Sequence, residues 1–218
     1  MEQKFKKWEK WLDEIYNEVV DILTNQRSFS EVWAIVNGNP KLQKPNSFYK
    51  FLNDTYAAYG VSAVRRQIKP HKDSISFIGL LKEIITTPEV LSRKRFVDLY
   101  AANMKNIANN TFDKEFAAKC MDHVDPNIVQ SDLDRLKKYA DKLEEFADKR
   151  VAHYDEKAPQ HIPTFAELDV CIDCLEELVR KYWLLFKALD LGNDLVLEFA
   201  EDYRDEIFRQ PWIPHEEL

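Results

Sequence analysis

Phe5, Trp8, Leu12, Ile15, Val19 and Leu23 follow one another at intervals of three and four residues. That spacing lays one apolar stripe along an α-helix of roughly six turns. A strand would instead repeat its apolar side chains every second residue. The helical period returns through most of the chain. "SFSEVWAIV" (28–36) places Ser28 and Glu31 at capping-box spacing and predicts a short second helix. A long helix is expected from about Ser47 to Lys69, with Phe48, Phe51, Leu52, Tyr56 and Tyr59 on its apolar side and Pro70 closing it. Further helices are expected over 74–88 and 92–104. Another runs from Ser131 to His153, with Leu133, Leu136, Ala140, Leu143 and Ala147 as its stripe. Thr164 and Glu167 form a second capping box, opening a helix to about Leu189. The loops are "NGNPKLQKP" (37–45) and "EKAPQHIP" (156–163), and Gly192 marks a break before a last acidic helix over 193–208.

The expectation is a single all-α domain over 1–218, an antiparallel helical bundle with additional helices. Only four glycines occur in 218 residues, which argues against a glycine-rich phosphate loop and a turn-rich all-β fold. With no apolar run of about 18 residues, nothing is expected to span a bilayer. The amphipathic start "MEQKFKKWEKWLDEIY" shows no signal-peptide core, so a cytoplasmic address is expected.

Few groups carry chemistry. Cys171 and Cys174 form a CxxC, but two turns into a helix and on its core side, where they read as small buried hydrophobes. A zinc site would need a second ligand pair, for which Cys120 with His123 is the one candidate, so no metal or other cofactor is expected. The acidic clusters at 141–148 and 198–206 read as solvated faces. A formal charge of −7 gives no global attraction for nucleic acid, so any RNA contact requires a local basic patch. "SAVRRQIKPH" (62–71) supplies one, in which Arg65 and Arg66 either bind phosphate or pair with acidic helices.

"DKRVAHYD" (148–155) holds the remaining candidates, Arg150 and His153. At i and i+3 of an α-helix the two side chains share a face and converge on one anion. A neutral imidazole there would take the proton of a ribose 2′-hydroxyl, with the arginine stabilising charge on the phosphate. The competing reading is electrostatic, because cations near a helix C-terminus complement its dipole.

The stretch "DKRVAHYD", followed by a loop and "PTFAELDVCIDCLEELVRKYWLLF", resembles the HEPN superfamily, and within it the abortive-infection protein U-like branch. "VRRQIKPHKDSISFIGLLKEI" (64–84) is similar to that branch as well, and the resemblance covers about 5–190. It implies a helical bundle, and for many such domains a metal-independent endoribonuclease acting as a homodimer. Toxin–antitoxin and phage-defence systems are the usual setting, with RNA and an antitoxin or other defence protein as partners. The family motif is an arginine, a polar residue, three to five more residues and a histidine. With His153 as its histidine, Asp148 takes the polar position and Ala147 stands where the arginine belongs. The implied site is His153 as base, Arg150 as phosphate clamp and Asp148 as orienting group, with Arg65 or Arg66 touching RNA. The alternative is a non-catalytic HEPN-like module for dimerisation, RNA binding or partner binding.

Overall fold

The computed structural model describes residues 1–69, 71, 73–152, 156–192, 195–196 and 208. These residues contain seven α-helices and no strand: α1 (Glu2–Gly38), α2 (Ser47–Ile68), α3 (Phe77–Thr86), α4 (Arg93–Asp98), α5 (Lys105–Glu115), α6 (Pro126–Phe146) and α7 (Phe165–Lys187). A π-helical turn, Ala147–Ala152, continues directly from α6.

α1 is one helix where two were expected. Nothing between Leu23 and Ser28 is a glycine or proline, so the helix runs on and the Ser28 capping box is never formed. The other starts follow their local chemistry. Asn46 accepts from the Tyr49 N–H at 3.1 Å to open α2, and Ser76 accepts from Gly79 N–H at 3.1 Å to open α3. Asp125 caps α6 with Pro126 at its first position, five residues ahead of the expected start at Ser131. Thr164 and Glu167 form the full reciprocal box at the head of α7. Over 92–104 only Arg93–Asp98 is α-helical, followed by a short 3-10 turn at Ala102–Met104. Of the acidic helix expected at 193–208, Leu195 and Val196 are described and are not helical; Phe208 is described, and the rest lies outside the described residues.

The core forms where α1 packs on α7, α6 on both α3 and α7, and α2 on α6 and α1. Trp8, Leu12, Ile15 and Val19 are buried along α1, and Cys171, Ile172, Leu175, Leu178 and Val179 along α7. Phe77 of α3 meets Tyr182 of α7 edge to face at 5.6 Å. α2 and α7 approach closely at Gly60, where a Cβ would stand 2.8 Å from the Leu168 side chain. The first turns of α2 meet α1 through Tyr49 and Asn53, which contact Trp33. Phe48 and Phe51, expected inward, are 50% and 60% exposed.

The last turn of α2 distributes its side chains among three neighbours. Arg66 pairs with Glu18 of α1. Gln67, 1% exposed, donates to the same Glu18 and accepts from the Phe77 N–H of α3 at 3.0 Å. Arg65 and Lys69 reach Asp148 beyond the end of α6. Replacing Gln67 by Met keeps the volume but strands the Phe77 N–H and removes a donor from Glu18. A buried donor left unsatisfied costs about 1–3 kcal/mol, so Gln67→Met is expected to lose that much stability in urea unfolding at an unchanged m-value.

The head of α7 predicts a pH effect. Lys142 first, then the Thr164 backbone N–H and His161, lower Glu167 from its ordinary 4.5 to about 2. A depressed carboxyl stabilises the fold above its unfolded pKa, and the contribution disappears as pH falls through about 2. Glu167→Gln is therefore expected to be less stable than the parent at neutral pH. Thermal unfolding followed between pH 5 and 2 should show the two curves converging towards the acid end.

Candidate functional site

Of the residues singled out from the sequence, Arg65 and Asp148 meet at the junction of α2 with the end of α6. Arg65 lies in the last turn of α2, and Lys69 is the residue that caps it, its backbone N–H donating to the Arg65 carbonyl. Arg65 Nε donates to Asp148 Oδ1 at 2.8 Å, and a second guanidinium nitrogen lies 2.5 Å from the same oxygen. Lys69 Nζ donates to Asp148 Oδ2 at 2.7 Å and lies 3.2 Å from Glu144 Oε1. Asp148 thus uses both oxygens, one for each cation.

This pairing fixes the protonation of the cluster. Lys69, then Arg65, holds the Asp148 carboxyl below its ordinary range against the opposing effect of burial. Hydrogen bonding to Asp148 likewise raises Lys69 above the ordinary lysine value. Near neutral pH Asp148 is an acceptor-only carboxylate that orients cations; it has no proton to give. The side chains of Arg65, Asp148 and Lys69 remain 33%, 37% and 42% exposed, so the cluster is open to solvent on one side. A guanidinium carries five N–H donors, and the contact with Asp148 engages only part of them.

The π turn changes what the sequence implied about Arg150. An α-helix through Ser131–His153 would put Arg150 and His153 on one face, but α6 ends at Phe146 and residues 147–152 wind in the wider π form. The i, i+3 geometry of an α-helix therefore does not describe Arg150. Its side chain is half-buried and donates to the Lys149 carbonyl at 3.2 Å. His153 lies outside the described residues. Ala147, at the motif's arginine position, is 1% exposed and belongs to the core. An arginine there would bury its charge among apolar side chains, a cost of several kcal/mol if left unpaired.

The fold therefore joins Arg65 to Asp148 and sets Arg66 apart on Glu18. Lys69 was not singled out from the sequence, although its position four residues after Arg65 is a detectable signal. The CxxC is structural. Cys171 and Cys174 are 0% and 5% exposed, and burial pushes their thiols up to about 12 and about 11. Among the described residues no group of three histidine, cysteine or acidic side chains is placed to hold a metal ion, and no helix is long and apolar enough to cross a membrane.

The HEPN-type family profile described as AbiU2 aligns with residues 5–207. That span takes in every helix except the first residues of α1, together with Arg65, Asp148, Arg150 and His153. No curated protein and no solved structure matches the chain. With a match over nearly its whole length, the chain belongs to the AbiU2 family of HEPN proteins.

Proposed function

We propose that this chain is an RNA-directed HEPN protein of the abortive-infection type that cleaves RNA without a metal ion. Its centre would comprise Arg65, Asp148, Arg150 and His153. One observation carries the reading: the Arg65 guanidinium is bonded to Asp148, the residue at the motif's polar position, while Ala147 beside it is sealed in the core. α2 thus supplies, across the bundle, the cation that the motif lacks in sequence.

In this scheme His153 takes the proton of a ribose 2′-hydroxyl. The 2′-oxygen attacks the adjacent phosphorus, the bond to the 5′-oxygen breaks, and that oxygen leaves carrying a proton returned by the imidazolium. Arg65 and Arg150 stabilise the charge that grows on the phosphoryl oxygens, and Asp148 holds the Arg65 guanidinium in place. A homodimer, with an antitoxin or other defence protein as partner, is the assembly proposed for it.

A second reading has its own support. Arg65 and Lys69 already face carboxylates, and the motif arginine is replaced by Ala147. Both facts suit a non-catalytic module that dimerises or binds RNA or a partner protein.

The test is cleavage of labelled RNA by the purified protein in excess chelator. His153→Ala is expected to lose about 10²–10⁴-fold in rate and Arg65→Ala about 10²–10³-fold. Arg66→Ala, whose partner is Glu18 of α1, should stay within about twofold. Cleavage by His153→Ala at the parental rate would refute the nuclease reading. Intact RNA with the parental protein, alongside retained RNA or partner binding, would establish the module.

A further inference from the structure

Away from the Arg65–Asp148 pair, three helices bring aromatic rings together at the surface. Phe29 of α1 stacks on Tyr56 of α2 with ring centres 4.0 Å apart and meets Phe165 of α7 at 5.0 Å. Trp33, one turn further along α1, stands at 70° to Phe29 with ring centres 6.4 Å apart. The four rings line an open cleft of about 580 Å³, with Asn53 and Asp169 also in its wall. Phe165 is 37% exposed, and Phe29 and Trp33 are half-buried. Exposed apolar surface with a polar rim is the form that an interaction site takes.

The charge at this cleft is negative. Asp169 and Asp173 stand one turn apart on α7. Among the described residues, no lysine or arginine lines the cleft and neither carboxylate has an ion pair. Gln26 Nε2 donates to Asp169 Oδ1 at 2.8 Å, which leaves Oδ2 to accept. Trp33 Nε1 donates to Asn53 Oδ1 at 3.1 Å, and that carbonyl oxygen has a second lone pair. Burial, then the charges of Asp169 and Asp173, push the Tyr56 phenol above its ordinary range, so both carboxylates act on the wall of the cleft. The Tyr56 hydroxyl is buried without a hydrogen-bond partner among the described residues, so no donor there offsets their field.

Aromatic rings beside an unpaired carboxylate attract a cation, and the acceptors decide which one. A quaternary ammonium has no N–H for Asp169 Oδ2 or Asn53 Oδ1. A lysine ammonium has donors but is compact and strongly hydrated. A guanidinium is planar, weakly hydrated, stacks on rings and carries five donors. A phosphate is repelled here, and an apolar helix would bury the Asp169 carboxylate unpaired. The cleft also continues on both sides. Trp33, Asn37 and Asn53 line a second hollow that reaches Pro45, and Asn53 and Phe165 line a mostly apolar third one that reaches Leu143 and Ile162. Three adjoining hollows suit an extended segment of chain, with side chains on either side of the central one, better than a free guanidinium compound. We propose that this aromatic cleft is a docking site for an arginine of a partner protein, whose guanidinium lies among the four rings and donates to Asp169. The site is separate from the Arg65 centre, and the inference stands whether or not the chain cleaves RNA.

The experiment is an NMR titration of the full chain that follows the Trp33 indole N–H, identified by its loss in Trp33→Phe. The probes are acetylated, amidated peptides Gly-Leu-Ser-Xaa-Ser-Leu-Gly in which Xaa is arginine, lysine or citrulline. Citrulline keeps the shape of arginine and removes its charge. The arginine peptide is expected to bind with a Kd about tenfold or more below that of the citrulline peptide, and below that of the lysine peptide. Asp169→Asn retains Oδ1 for Gln26 and should bring the arginine peptide close to the citrulline value. Phe165→Leu keeps an apolar side chain at the head of α7 and should shrink the arginine advantage severalfold, which protects the test if Asp169→Asn folds poorly. Equal binding of the arginine and citrulline peptides, an arginine advantage that survives both substitutions, or no shift with any peptide overturns the inference. N-acetyl-arginine amide binding as tightly as the arginine peptide would mark a site for a small guanidinium compound and also overturn it.

Discussion

The last turn of α2 is the constraint on which the architecture depends. Arg65, Arg66 and Gln67 within it, and Lys69 capping it, bond to α1, to the first backbone N–H of α3 and to Asp148 just beyond α6. Gln67 is the buried member, and its amide uses a donor and the acceptor in two different directions. Such a fully satisfied polar contact specifies one arrangement of three helices where apolar packing alone would tolerate several. Arg65 and Lys69 are more exposed, and exposed ion pairs add little stability in general. Their role is positional: they set the end of α6 against α2 and leave cations on the surface there.

That placement gives a physical account of a motif that looks incomplete in sequence. Ala147 closes the apolar stripe of α6 that runs through Leu136, Ala140 and Leu143. The winding changes to the π form at this position, and π turns often mark functional sites. Asp148, the next residue, leaves the core and meets Arg65. On the proposed reading, packing takes the arginine's position at Ala147, and α2 brings the Arg65 guanidinium to the carboxylate beside it.

Much of the fold was legible in the sequence, because it follows from local rules. The apolar stripe of α1, the boundaries of α2 and the capping box of Thr164 with Glu167 all rest on spacing within a few residues. Errors arose where local signals compete with continuity or tertiary packing. Ser28 and Glu31 have the spacing of a cap, but the chain around them has no reason to leave the helix. Phe48 and Phe51 have the period of a buried face, yet they are exposed, and it is Tyr49 and Asn53 of the same turns that meet Trp33 of α1. The site was legible only in pieces. Arg65 and Asp148 were each visible as candidates, but 83 residues separate them, and no spacing rule links two helices at that distance. The π turn has no sequence signature of comparable strength, so the α-helical geometry assumed for Arg150 had nothing to correct it.

The central claim is that Arg65 acts through its bond to Asp148, and a double-mutant cycle tests this most directly. Single-turnover RNA cleavage would be measured for Arg65→Ala, Asp148→Ala and the double variant in excess chelator. If the two side chains work as one unit, the double variant falls no further than the weaker of the two single variants. Losses that multiply, so that the double variant shows the product of both defects, would show that the residues act independently and contradict the account.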